Sequence, residues 1–320
     1  MLDDYLRFVS ARARPNTLRA TAHDLKTFFC FVGKPPAVVS VSDVVAFISA
    51  QRLGDGDRTV VGLDGSSGVS ARTIRRRLSS VSGLYAFLSA RGTPGVDTNP
   101  VPRGLATRRE RSRPRQGVPL IRTPRTLPRI LSPGEVDALL AALRRDRDRA
   151  MVEAMVLGGL RRCEVLGLRL EDLHVAERRV FVAEGKGGHQ RLIPMSSRFF
   201  VTVARYLDGE RPSGSETEAV FVVLKGPNRG RPLSADGLDE ILDGARGRAG
   251  LTHGSCHELR HTCLTRLRQA GMSLEAVQAQ AGHRSIESTR VYLHLADQWL
   301  ADQYRRAAEA IDAQTLGVAP

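Results

Sequence analysis

The sequence predicts a mainly α-helical protein with a small β-hairpin, split into two domains by a basic linker. Three observations carry that reading. Apolar residues recur at helical spacing over residues 1–100 and again from 132 onward. Two short β-prone runs, Arg179 to Ala183 and Arg191 to Met195, flank the glycine-rich turn Gly185-Lys186-Gly187-Gly188. Between the helical stretches, residues 101–130 hold nine arginines against one acid, Glu110, and five prolines that forbid regular structure. The expected division is a helical domain over 1–102, a Pro/Arg linker over 103–130, and a second domain over 131–320 that ends in a tail helix.

The elements follow in order. Leu18, Ala22, Leu25, Phe29 and Val32 mark one helix. Ser42 is a candidate cap for a second, which carries Val44, Val45, Phe47 and Ile48. Gly54 to Gly68, rich in Gly, Asp and Ser, reads as a loop. Ser70 caps a third helix with the stripe Ile74, Leu78, Val81, Tyr85 and Leu88. Arg72, Arg75 and Arg76 fall off that stripe and are candidates for contact with DNA. Arg108, Arg109, Arg111 and Arg113 of the linker could lie along a phosphate backbone in the same way.

Ser132-Pro133-Gly134-Glu135 opens the second domain. Serine suits the N-cap, proline N1 and glutamate N3, a capping box. Val136, Leu139, Leu140 and Leu143 line the helix that follows. Met151 to Leu157 is helical until Gly158-Gly159 breaks it, and Arg161 to Leu168 forms a short helix with Glu164 three residues after Arg161. After the hairpin come a helix over Phe199 to Leu207, a short strand over Ala219 to Leu224, and helices from Ser234 to Ile311. Leu300, Tyr304, Ala307 and Ile311 give the tail an apolar face that must be buried somewhere.

Composition narrows the function. Formal net charge is +14 and the pI about 10.6, an excess that suits a polyanionic partner such as nucleic acid. Lysine occurs only four times among the 48 basic residues, which makes Lys186 in its glycine turn conspicuous. Cys30, Cys163, Cys256 and Cys263 form no C-x-x-C pair and read as reduced, mostly buried thiols of a cytosolic protein. No run approaches about 18 apolar residues, and no basic start leads into an apolar core, so neither a membrane span nor an export signal is expected. The expected location is the cytoplasm, at the nucleoid.

Four stretches could converge on one anion. Cys256-His257-Glu258-Leu259-Arg260-His261-Thr262 opens a helix, and His257 and Arg260 share one of its faces. A helix N-terminus bearing an imidazole and a guanidinium suits a phosphate. Gly159-Leu160-Arg161, the Lys186 turn, and Gly282-His283 with Tyr292 nine residues on complete the set. The same stretch also fits H-E-x-x-H, the zinc-peptidase helix. That reading leaves Arg161, Lys186 and Tyr292 unexplained and sets Arg260 one turn from a dication. No metal or cofactor is therefore expected. A third reading is a DNA-binding protein without catalysis, which the intact set of candidate residues opposes.

These motifs, in this order and spacing, resemble those of the tyrosine recombinase (phage integrase) family, near its Xer-like members. The resemblance covers Ser132 to about Ile311, and more weakly residues 1–100, which are similar to that family's helical, SAM-like core-binding domain. It implies a mixed α/β catalytic domain in which Arg161 and Arg260 are an arginine pair, Lys186 the hairpin lysine, His257 and His283 the histidines, Tyr292 the nucleophile and Glu164 an orienting acid. It further implies site-specific recombination, whether for chromosome-dimer resolution, phage integration or transposon movement. The expected partners are double-stranded DNA with paired sites, three further copies of the chain clamped on it, and accessory recombination proteins. The expected course is sequential strand exchange through a Holliday junction, with the tail helix docked on a neighbouring protomer. Ala281 stands where the family usually has leucine, and Cys263 where a residue is often aromatic.

Overall fold

The computed structural model describes residues 1–13, 15–53, 68–102, 121, 128–183, 190–283 and 289. The Gly54–Gly68 loop (save Gly68), most of the basic linker and the tail helix lie outside them. The chain forms two compact units, Met1–Arg125 and Thr126–Pro320.

The first unit is helical among its described residues: α1 (Leu2–Arg12), α2 (Pro15–Val32), α3 (Val41–Leu53) and α4 (Ala71–Ala90). Ser70 caps α4 by accepting the Thr73 N–H, and the expected stripe from Ile74 to Leu88 is buried. α1 crosses α4 at Gly83, where an added Cβ would stand 2.5 Å from the Tyr5 hydroxyl. The α2 stripe faces inward through Thr21, Asp24, Leu25 and Phe28, with Leu18, Phe29 and Val32 only partly buried beside it. Two local readings are corrected. α3 starts one residue before Ser42, because Ser40 and Asp43 form the cap: the Asp43 carboxylate accepts the Ser40 N–H at 2.9 Å. Val45 consequently points outward while Val44 and Phe47 are buried.

The second unit is built on α6 (Asp146–Val156). Every residue from Ala150 to Val156 is buried, as a helix surrounded by other elements requires. α8 (Ser197–Gly209) and α10 (Cys256–Gln269) pack against it. α5 (Pro133–Ala141) opens with the full capping box of Ser132 and Glu135. α7 (Arg162–Leu166) follows the glycine break. β1 (Leu173–His174), β2 (Arg179–Val182) and β3 (Arg191–Pro194) form one antiparallel sheet, in which Val180 opposes Ile193 and both are buried. α9 (Ala235–Ala249) and α11 (Leu274–Ala281) complete the described part.

The expected strand over Ala219 to Leu224 is not a strand. Its backbone bonds go to two separate segments, Val220 to Leu168 and Val223 to Arg231, so only isolated bridges form. Val220, Phe221 and Val222 are all buried, and a run buried on every side makes apolar contacts without joining a ladder. The thiols also differ from expectation: all four are unpaired, but only Cys263 is buried, while Cys30 and Cys163 are exposed. Among the described residues no helix is long and apolar enough to cross a membrane.

The capping box at Ser132 holds the first turn of the second unit. Ser132→Ala should lower its unfolding free energy by about 1 kcal/mol. A urea midpoint equal to that of the parent would show that the box does not hold α5.

Candidate active site

The site starts where α6 ends. Gly159 adopts φ +71°, and a Cβ on Gly158 would stand 2.1 Å from Met195 Sδ, so only glycine fits this break. The chain then leaves Arg161 in extended conformation as the N-cap of α7. Glu164, in the first turn, accepts the Arg161 backbone N–H at 2.9 Å and its Nη1 at 2.6 Å.

Glu164 is the hub. Its side chain is fully buried, and three guanidiniums reach it. Arg191, the first residue of β3, donates Nη1 to Oε1 at 3.0 Å and Nη2 to Oε2 at 2.9 Å, a bidentate pair. Arg260 of α10 holds Nη1 3.8 Å from Oε2. Burial would raise the carboxyl pKa, but the Arg191 hydrogen bonds, the Arg161 N–H and both charges overcome it and hold it at about 2.

Arg260 is itself buried and reaches two glycine breaks. Nη1 donates to the Gly159 carbonyl, and Nη2 donates to the Ala281 carbonyl at 2.6 Å. The second break is the αL cap of α11, where Gly282 has φ +60°. A Cβ there would stand 2.9 Å from the Arg191 guanidinium, so any other residue would strain the turn and displace Arg191. This cap delivers His283, whose Nε2 lies 3.2 Å from Arg260 Nη2. A guanidinium has no acceptor, so Nε2 must accept and Nδ1 carries the proton, donated to Thr289 Oγ1 at 3.0 Å. Burial, then the charges of Arg260 and Arg161, push His283 down to about 4 and keep it neutral at pH 7.

Arg161, Glu164, Arg260 and His283 thus come together. His257 is exposed on α10, its Nε2 2.8 Å from Nε2 of His261, the two rings edge to face. Burial and the nearby charges of His257 and Arg260 lower His261 to about 4. The Glu258 carboxylate caps α10, accepting the N–H groups of Gly254 and Ser255 and the Ser255 hydroxyl. It is therefore committed to backbone and is not placed as the base that the zinc-peptidase reading needs. Among the described residues no group of three side chains could hold a metal ion. Lys186 and Tyr292 lie outside the described residues, as do Arg108, Arg109, Arg111 and Arg113. Arg72, Arg75 and Arg76 are exposed on α4, but Arg76 is tied to the buried Asp24 at 2.6 Å.

Sequence reasoning missed Arg191 and Gln280. Gln280 is buried and donates to the Gly158 carbonyl at 2.9 Å and to the Pro194 carbonyl at 3.2 Å, tying α11 to the glycine break and the sheet. The only local signal for Arg191 was a basic residue opening the second hairpin strand. Three guanidiniums against one carboxylate leave an excess of two positive charges. Beside them lies a cleft of about 510 Å³ lined by Gln190, Arg191, Glu275, Gln278, Gly282 and His283. Such an arrangement can receive an anion and donate several hydrogen bonds to its oxygens.

Known proteins match this chain along its length. The phage integrase family model matches residues 129–298, and the phage integrase N-terminal SAM-like domain model matches residues 2–92. A tyrosine recombinase XerD of Mycobacterium tuberculosis is 33% identical over 295 residues, covering 87% of this chain and 86% of its own. The Tn1549 transposon integrase, solved with transposon right-end DNA, superimposes with a TM-score of 0.66 at 18% identity, over 95% of this chain and 98% of that one. A lambda integrase, solved as a tetramer bound to a Holliday junction, gives a TM-score of 0.63 at 19% identity, over 90% of this chain and 75% of that one. Both solved structures share the fold.

The cluster also sets an acid limit on stability. His283 is lowered from 6.5 to about 4, so it binds its proton more weakly folded than unfolded. Its contribution is complete above pH 6.5 and is lost as pH falls toward 4. Glu164, lowered from 4.5 to about 2, has the same sign and adds a further loss below pH 4.5. The urea midpoint should therefore decline from pH 6.5 downward, and less steeply in His283→Gln between 6.5 and 4. A midpoint that is flat across that window would contradict the placement of His283 among the arginines.

Proposed function

Because the chain belongs to the phage integrase family of tyrosine recombinases, we propose that it cuts and rejoins DNA strands at specific sites through a covalent 3′-phosphotyrosine on Tyr292. The supporting observation is the convergence of Arg161, Arg260 and His283 around Glu164, a preorganised receptor for one phosphate. The Tyr292 oxygen attacks phosphorus, and the bond to the 5′-oxygen breaks. Arg161 and Arg260 donate to the non-bridging oxygens as their charge grows, with His257, or His283 once a bound phosphate has favoured its protonation, as a further donor. Lys186 protonates the departing 5′-oxygen. A free tyrosine has a pKa near 10, so the cationic surroundings also favour the attacking phenolate. The phosphotyrosine stores the broken bond, so attack by a 5′-hydroxyl reseals DNA without nucleotide, cofactor or metal.

The basic linker, through Arg108, Arg109, Arg111 and Arg113, and the exposed Arg72 and Arg75 supply sequence-independent grip on the duplex. Two strands of two sites must be exchanged, so the working unit is four protomers on paired sites, as in the lambda integrase tetramer on its junction. The tail helix, docked on the next protomer, would couple the tyrosines so that one pair reacts at a time. A buried Arg260 beside a partly exposed Arg161 at a glycine-formed turn suits charge that grows on one phosphate better than a grip along the duplex.

A duplex bound by Tyr292→Phe can be selected from a randomised pool and then nicked to trap adducts. On it the parent should form a covalent complex and Tyr292→Phe none, with equal binding. Lys186→Ala should cleave severely more slowly, yet recover when sulfur replaces the 5′-bridging oxygen, because a thiolate departs without protonation. Arg161→Ala should not recover. An adduct with Tyr292→Phe, or no sulfur rescue of Lys186→Ala, would contradict these roles.

A further inference from the structure

Arg191 stands outside the residues given a part in the chemistry, yet all three nitrogens of its guanidinium are anchored to protein acceptors. Both terminal nitrogens grip Glu164, and Nε donates to the Gln280 carbonyl at 3.3 Å. Its planar group lies against the Gly282 turn, within 3.0 Å of where a Cβ would be. Its side chain is only 12% exposed, so it touches the edge of the cleft while its hydrogen bonds go to the protein. The residue therefore joins three elements: β3 through its own backbone, α7 through Glu164, and the end of α11 through Gln280.

What this does to Arg161 follows from donor counting. A carboxylate alone beside an arginine favours a bidentate pair with both oxygens. Here Oε2 accepts Arg191 Nη2 and the Arg161 backbone N–H, and Oε1 accepts Arg191 Nη1, so one site is left and Arg161 gives the carboxylate only Nη1 from its side chain. The rest of that guanidinium stays available, apart from a long contact of Nη2 with the Gly282 carbonyl at 3.4 Å. Arg191 also opens β3, five residues after Lys186, so the point where the hairpin re-enters the sheet is pinned to the same carboxylate.

We propose that Arg191 is a positioning residue for strand cleavage. By taking one acceptor site on each oxygen of Glu164 it keeps the Arg161 guanidinium presented to the scissile phosphate, and it fixes the returning hairpin strand to the arginine cluster. The assignment rests on the recombinase reading.

The test is single-turnover cleavage of the nicked duplex by the full-length parent, R191M, R191K, E164Q and E164Q/R191M, with duplex affinity and thermal melting measured alongside. R191M should cleave on the order of 100-fold more slowly, as misplacement of a reacting geometry by about 1 Å does. It should bind and melt nearly as the parent does. R191K, which keeps the charge but loses the fork, should fall between them. E164Q/R191M should cleave no more slowly than E164Q, because the effect of Arg191 runs through the Glu164 carboxylate. R191M cleaving within about threefold of the parent, or losing affinity and melting temperature in step with cleavage, overturns the assignment. So do penalties of R191M and E164Q that multiply in the double variant. A parent that forms no adduct overturns the recombinase reading itself, whereas a reactive parent beside an unaffected R191M overturns the role of Arg191 alone.

Discussion

A buried carboxylate must be neutralised where it stands, and the second unit is arranged around that requirement at Glu164. Its side chain has no contact with water, and it draws one guanidinium from each of α7, β3 and α10. Leaving such a group with no cation beside it would cost about 3–5 kcal/mol, and here three guanidiniums share the task of neutralising it. The three elements are therefore held in one relation by a single side chain. Hydrophobic contact alone would hold them less specifically, since apolar surfaces tolerate sliding and a bidentate pair does not.

The two glycine breaks make the cluster possible. At Gly159 and at the Gly282 cap, backbone turns away from helical geometry and leaves carbonyls unbonded within their helices. Arg260 donates to the carbonyls of Gly159 and Ala281, so its burial satisfies helix ends that would otherwise be orphaned. The same turn brings His283 against Arg260. Burial and then the surrounding charge keep that imidazole neutral, and the excess of two positive charges remains for a ligand to balance. Local backbone chemistry, core packing and ligand preference are thus consequences of the same few residues.

Much of this was legible in the sequence, for physical reasons. The Ser132 box, the Ser70 cap and the α4 stripe are local signals, and local signals survive in a chain read one residue at a time. Arg161 with Glu164 three residues later is also local, because one helical turn joins them. Arg191 was not legible: its partner Glu164 is 27 residues away, and an arginine is unremarkable in so arginine-rich a chain. Asp24 was missed in the same way, since its burial depends on Arg76 and Ser80 of another helix. The strand read into Ala219 to Leu224 failed for the complementary reason. A short apolar run predicts burial, but ladder formation depends on which backbone lies alongside it.

The central claim is that this cluster is a receptor for one DNA phosphate, and the His283 imidazole reports on it from inside. In the protein alone its titration midpoint, followed by NMR of the labelled ring, should lie near 4, because burial and the charges of Arg260 and Arg161 oppose protonation. A phosphate seated between those arginines adds negative charge and a hydrogen-bond acceptor beside the ring. The midpoint should then rise toward the ordinary value of about 6.5 when Tyr292→Phe is saturated with its duplex. A midpoint that stays near 4 or falls further on the same duplex would contradict the account.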